Sequence, residues 1–203
     1  MWAVVGLGNP GKRYAATRHN VGFALIERME DKWDVRLKKR KYKSKAVQVE
    51  REQGTILLVK PWTYMNQSGL AVKILIQRTG LMLNQVLVVY DDLDIPLGEI
   101  RIRKEGGPGT HNGLISIVQE IGSTQFPRIR IGIGPLPSGT EATDFVLSGF
   151  SKDQRLALEE SLAKAEEAVM LILNRDIEEA MNRFNRKRRS AETKSQKESE
   201  ENE

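Results

Sequence analysis

Apolar positions along this chain fall into two periods, and the alternation between them lays out the elements. Residues 86–90 form a continuous apolar run, expected of a central strand buried on both faces. Residues 2–5 read the same way, as a strand that starts almost at the first residue. Residues 46–50 and 55–59 read as a hairpin turning about Gln53-Gly54. Residues 98–103 and 128–134 give two further strands, the second with Arg128 and Arg130 on one face. Helical spacing fills the intervals. Val21, Leu25, Met29 and Trp33 mark one face of a helix that Thr17 can cap. Leu70, Ile74 and Leu75 lie inside a second helix, and Leu114, Ile117, Val118 and Ile121 in a third that Gly122 stops. Ser151 and Gln154 have the spacing of a capping box for a long helix to about residue 174. Asp176 caps a short last one carrying Ile177, Met181 and Phe184. Residues 134–149 show neither period and read as a long irregular connection. Residues 190–203 are too polar to bury and are expected to be disordered. No internal repeat is present.

Composition narrows the class. At 203 residues and 39% hydrophobic, the chain can bury a substantial core as one domain, expected to span 1–189. There is no cysteine, which removes disulfides and thiolate chemistry and fits a reducing compartment. No leader precedes the first strand and no apolar run approaches a membrane span, so a soluble, cytoplasmic protein is expected. Net charge is +5, but the last fourteen residues hold two lysines and five glutamates, so residues 1–189 carry +8. A basic body suits an anionic partner such as nucleic acid. The densest basic run, residues 36–45 with Tyr42 interleaved, reads either as a charged edge strand or as a phosphate contact.

The chemistry concentrates in loops after strands. Gly6-Leu7-Gly8-Asn9-Pro10-Gly11 matches the dinucleotide fingerprint literally, but the acids about 20 residues on, Glu30 and Asp31, fall in a helical pattern rather than at the end of a second strand. Residues 60–69 form another such loop, in which Asn66 and Ser68 are candidate helix caps, and Trp62 and Met65 candidate core residues. Asp91, Asp92 and Asp94 follow the buried strand, where α/β sheets place chemistry. As a metal site they lack a histidine nearby in sequence and a second ligand set. The only histidines, His19 and His111, are each followed by asparagine. With no cysteine and no nucleophile elbow, a histidine base that activates water, oriented by a carboxylate such as Asp91, is the simplest hydrolytic set available.

Five blocks taken together resemble the bacterial-type peptidyl-tRNA hydrolases. They are Gly-Leu-Gly-Asn-Pro-Gly-x-x-Tyr with Thr-Arg-His-Asn-x-Gly, Pro-x-Thr-Tyr-Met-Asn-x-Ser-Gly, Asp-Asp-Leu-Asp-x-Pro-x-Gly, His-Asn-Gly-Leu, and Arg-Ile-Gly-Ile-Gly, in that order over roughly residues 3 to 185. The resemblance implies an α/β fold: a single globular domain with a twisted mixed β-sheet wrapped by helices, phosphorylase/hydrolase-like. It implies a monomer without metal or cofactor, which cleaves the ester between a peptide and the 3′-terminal ribose of tRNA. By the same resemblance, His19 would be the base and Asp91 would hold its imidazole. Asn9 and Asn66 would position substrate and water, one of their amides meeting the oxyanion. Tyr14 and Met65, with Tyr64 beside them, would line the peptide and 3′-end channel. His111 and Asn112 would sit at its rim, Asn112 on the acceptor end. Arg103 and Arg130 would grip the 5′-phosphate, which the arginine fork binds bidentately.

Departures and rivals follow from the same residues. Arg103 stands where the family often has lysine, and Pro108 and Thr110 stiffen a loop that is usually richer in glycine. The rival readings are a non-catalytic RNA-binding relative, a dinucleotide-dependent enzyme, and a carboxylate metal site at Asp91, Asp92 and Asp94. The first has no need to keep His19, Asp91, Asn9 and Asn66 together.

Overall fold

In the computed structural model, which describes residues 1–174 and 176–185, the chain forms one seven-stranded mixed sheet. The charged tail expected at 190–203 and the last residues of the expected domain lie outside the described residues. In chain order the strands are β1 (Trp2–Gly6), β2 (Lys39–Lys41), β3 (Ser44–Arg51), β4 (Gly54–Pro61), β5 (Val86–Pro96), β6 (Ile100–Arg103) and β7 (Arg128–Gly134). The helices are α1 (Val21–Lys32), α2 (Ser68–Thr79), α3 (Asn112–Ile121), α4 (Ala142–Leu147), α5 (Lys152–Leu173) and α6 (Ile177–Phe184). Across the sheet the order is β2-β3-β4-β1-β5-β7-β6.

The centre of this sheet follows from alternation. On β1, Ala3 and Val5 point into one core while Val4 points into the other. On β5, Val88 joins the first and Leu87 and Val89 the second. Each fully buried valine or leucine contributes roughly 1.5–3 kcal/mol relative to exposure, so these two strands need cover on both faces. α2 and α3 supply it on one side; α1, α5 and α6 supply it on the other. β1 pairs in parallel with β4 and β5, and β5 with β7; the outer strands β3, β2 and β6 join antiparallel. Because β4 and β5 flank β1 on opposite sides, the chain ends leaving β1, β4 and β5 converge on the crevice where open α/β sheets bind ligands.

Gly6 and Gly22 close that end tightly. A Cβ on Gly6 would stand 2.1 Å from the Gly22 carbonyl oxygen, and one on Gly22 would stand 2.5 Å from the Leu7 nitrogen. The glycine that mimics a dinucleotide fingerprint serves close backbone packing instead.

The basic run contains a short edge strand, β2, as one of its two readings expected, and its charges guard an open edge. Three local expectations change. β5 continues to Pro96, so the three aspartates lie within the strand rather than beyond it. A helical turn, α4, occupies part of the connection read as irregular. Thr17 does not cap α1: its hydroxyl donates to the Tyr14 carbonyl oxygen at 2.8 Å, and a 3-10 turn, Arg18–Asn20, precedes the helix. The capping box at Ser151 and the Asp176 cap form as expected. Among the described residues, no helix is long and apolar enough to cross a membrane.

Candidate active site

His19 sits in the 3-10 turn after β1, and Asp91 lies on β5 just beyond its last apolar residue. The two meet as a buried pair: His19 Nδ1 is 2.8 Å and 2.9 Å from the two Asp91 carboxylate oxygens. His111, expected at the rim, belongs to the same cluster, with Nε2 3.0 Å from Asp91 Oδ1. It lies inside because its own helix needs it. As N-cap of α3, its Nδ1 accepts from the Gly113 and Leu114 N–H groups.

These contacts fix both tautomers. A nitrogen that accepts two backbone N–H bonds carries no proton, so His111 holds its proton on Nε2 and donates it to Asp91. His19 must likewise donate from Nδ1 to the carboxylate, which leaves Nε2 as its basic, outward nitrogen. Burial alone would push the Asp91 carboxyl up, but the charges and hydrogen bonds of His111 and His19 outweigh it and hold the carboxyl well below its usual range. The cluster is thus one carboxylate that accepts an N–H from each of two imidazoles.

Asn9 is fixed by its neighbours. Its N–H donates to Asn20 Oδ1 at 2.8 Å, and Asn20 Nδ2 donates back to the Asn9 carbonyl oxygen at 3.0 Å. The Asn9 side-chain oxygen accepts the Met65 N–H at 2.8 Å. A backbone N–H can only meet an oxygen, so the free end of the Asn9 amide is its NH₂ donor. Met65 is buried under this contact, in the core beside Leu7 and Gly113. Asn66, by contrast, is exposed and makes no side-chain hydrogen bond among the described residues. Tyr14 is half-buried, bonded through its hydroxyl to Arg13, and Tyr64 is 53% exposed.

A cavity of about 630 Å³ opens from His19 and Asp91 toward the β6–β7 edge, lined by Asn112 and by the loop 105–111. Arg103 and Arg130 line its far end. They share a face because Arg103 pairs with Arg128 and Arg101 with Arg130 across the antiparallel ladder. Arg130 Nε donates to Asp92 Oδ2 at 2.6 Å, and neither terminal nitrogen of the guanidinium has a hydrogen-bond partner among the described residues. Asp92 also accepts the Asp94 N–H. The three aspartates line the same cavity but form no common ligand set, because Asp91 is held by the two histidines and Asp92 by Arg130. His19, Asp91 and His111 are instead the trio close enough to hold a metal ion among the described residues, with donor atoms within 4.8 Å of one another. Their donors already satisfy one another: the two histidine nitrogens facing Asp91 are protonated, and a metal would have to strip both.

Arg18 was not singled out in the sequence, although it precedes His19. Its guanidinium lies 4.3 Å over the Phe145 ring and 4.8 Å over Phe150, and it donates to Ser148 Oγ at 2.7 Å, to the Gly149 carbonyl and to Gln154 Oε1 at 2.7 Å. The side chain thus ties α4 and the start of α5 to the residue before the histidine. Arg18→Met keeps the bulk and loses every one of these bonds. It is expected to lower the unfolding free energy by about 2–4 kcal/mol in denaturant titration; an unchanged midpoint would mean that the segment is held elsewhere.

The family model described as peptidyl-tRNA hydrolase matches residues 3–193. Among curated relatives, the peptidyl-tRNA hydrolase of Chloroflexus aggregans is 44% identical over 91% of this chain and 99% of its own length. That of Fervidobacterium nodosum is 46% identical over 90% and 94%, and that of Bacillus subtilis 41% over 92% and 100%. Among solved structures, the Acinetobacter baumannii peptidyl-tRNA hydrolase superposes with a TM-score of 0.84 at 35% identity, covering 91% of this chain and 94% of that one.

Proposed function

Because this chain belongs to the peptidyl-tRNA hydrolase family, we propose that its cluster hydrolyses the ester between a peptide and the 3′-terminal ribose of tRNA, with His19 as general base. A single observation carries the assignment: of the four ring nitrogens in the two histidines, only His19 Nε2 is left without a hydrogen-bond partner among the described residues. Water hydrogen-bonded there loses a proton to Nε2 as its oxygen attacks the ester carbonyl carbon. Asp91 stabilises the imidazolium that forms through the Nδ1–H bond. The carbonyl electron pair moves onto oxygen, where the free Asn9 NH₂ is the available donor. Collapse of the tetrahedral intermediate breaks the bond to the ribose oxygen, which takes the proton back from His19 Nε2. Asn112, exposed in the cavity lining, and Asn66, exposed beside the Met65 contact to Asn9, meet the substrate directly. No metal takes part, the enzyme acts as a cytoplasmic monomer, and residues 1–189 suffice.

Release of tRNA from N-acetyl-aminoacyl-tRNA, measured with and without EDTA, tests this reading. Chelator-resistant turnover is expected; tRNA binding without any release would return the chain to a non-catalytic RNA binder. Arg103 and Arg130 account for recognition of the acceptor stem through its 5′-phosphate. Removing that phosphate is expected to lower wild-type kcat/KM by about 10- to 100-fold, the range for lost charge-assisted hydrogen bonds. In Arg103→Gln/Arg130→Gln the dependence on the phosphate should vanish. A double variant that still discriminates would move the clamp to other residues.

A further inference from the structure

The basic run of residues 36–45 is not used by the chemistry above, yet it borders the site. From residue 36 to residue 49 there is no acid. Arg36 pairs with Asp31, but Arg40, Lys41, Lys43 and Lys45 have no carboxylate partner within 4 Å among the described residues. Two of them, Arg40 and Lys43, face a second cavity of about 660 Å³ whose walls include Pro10, Trp62, Tyr64 and Gln67. Lys45 Nζ lies 4.0 Å from the Trp62 ring centroid. Pro10 follows Asn9, and Tyr64 and Gln67 bracket Met65 and Asn66. The cavity therefore backs onto the catalytic loops from the β4 side, away from Arg103 and Arg130.

The turn that builds this wall is held against its own preference. Lys41 pairs with Ser44 across the β2–β3 hairpin, so Tyr42 and Lys43 form a two-residue turn, at φ 57° and 49°. Such turns favour Asn-Gly, and the left-handed region costs an ordinary residue roughly 1–2 kcal/mol. What the strained turn secures is visible: the Lys43 carbonyl accepts the Trp62 N–H at 2.8 Å. The Lys43 backbone is thereby tied to that of Trp62 at the cavity wall. Backbone strain of this kind concentrates at functional positions.

We propose that this cavity is a docking platform for the unpaired 3′-terminal nucleotides of the substrate tRNA, with bases on Trp62 and Tyr64 and phosphates on Arg40 and Lys43. The proposal rests on the esterase reading above. Uncompensated cations around aromatic faces are the composition of single-strand nucleic-acid sites, where stacking tolerates any base and cations track the backbone. A peptide of arbitrary sequence offers no fixed negative charge to meet them.

The test is fluorescence anisotropy of a 5′-labelled five-nucleotide RNA ending in CCA, titrated with the full chain over a range of salt. Arg40→Gln/Lys43→Gln is expected to weaken binding about 10-fold and to flatten the salt slope by about 1.4, since each single-strand phosphate contact contributes about 0.7. The charge-matched Arg51→Gln/Arg78→Gln, at the far ends of the β3–β4 hairpin and α2, should do neither. Trp62→Leu should weaken binding without changing the slope, which separates stacking from charge. Equal affinity and slope in wild type and Arg40→Gln/Lys43→Gln would overturn the platform. So would a defect that appears only with acidic peptides on the tRNA, which would make the cavity a peptide site. If the wild type binds the oligonucleotide and Arg40→Gln/Lys43→Gln weakens it, but the wild type hydrolyses no N-acetyl-aminoacyl-tRNA, the platform stands and the esterase reading falls.

Discussion

Replacing His19 with alanine is expected to lower kcat on N-acetyl-aminoacyl-tRNA by about 10²- to 10⁴-fold, the span of general-base catalysis, while tRNA affinity stays close to wild type. The loss should be this deep because the cluster holds no substitute base. His111 has one nitrogen committed to Asp91 and the other to the first turn of α3. Freeing either would break the contact that orients it. Steady-state kinetics beside a binding titration of deacylated tRNA separates the two quantities. Wild-type turnover in the variant would remove His19 as the base; a parallel loss of affinity would make it a binding residue.

Asp91→Asn should be comparably severe, lowering kcat by about 10³- to 10⁴-fold. The carboxylate accepts from His19 Nδ1 and His111 Nε2 together. An amide has only one oxygen, and its NH₂ would face a second N–H donor. One imidazole must then turn or change tautomer, and if it is His19, Nε2 acquires the proton and ceases to be a base. Restoring part of the rate with a stronger external nucleophile such as hydroxylamine would show that substrate still binds. A variant that kept most of its kcat would mean that backbone packing alone orients the imidazole.

The same substitution has a stability signature. An unfolded aspartate titrates near 3.9, and the folded Asp91 carboxyl lies below that range because His111 and His19 outweigh its burial. The unfolded chain therefore binds more protons than the folded one in that interval, and the carboxylate contributes stability that is present above about pH 4 and lost on acidification below it. The gap between wild type and Asp91→Asn in denaturant titrations should accordingly narrow below pH 4.

Much of this was legible from the residues. The apolar runs locate the central strands because a strand buried on two faces has no polar alternate positions to confuse the reading. The caps at Ser151 and Asp176 are short-range and were equally visible. Contacts that depend on the folding of distant segments were not. Arg18 reaches Ser148 across 130 positions and His111 reaches Asp91 across 20; spacing along a chain says nothing about such partners until the sheet order is known. The aspartate triplet was misleading because its members take different partners, Asp91 the two histidines and Asp92 the guanidinium of Arg130. Asn20 carried a signal, two residues from Gly22 in the same block, but its task of clamping Asn9 is invisible without the turn between them.

The way His111 is held also bears on what the site leaves alone. Cleavage of an RNA strand by a pair of histidines needs one imidazole to take the 2′-hydroxyl proton and a second, charged, to protonate the departing oxygen. Here the second imidazole accepts from the first turn of a helix at one nitrogen and donates to a carboxylate at the other, so neither nitrogen is free to protonate a departing oxygen. An ester and an anionic backbone lying side by side in this crevice are therefore expected to fare differently, the ester being cut and the tRNA leaving at full length, ready to be charged again.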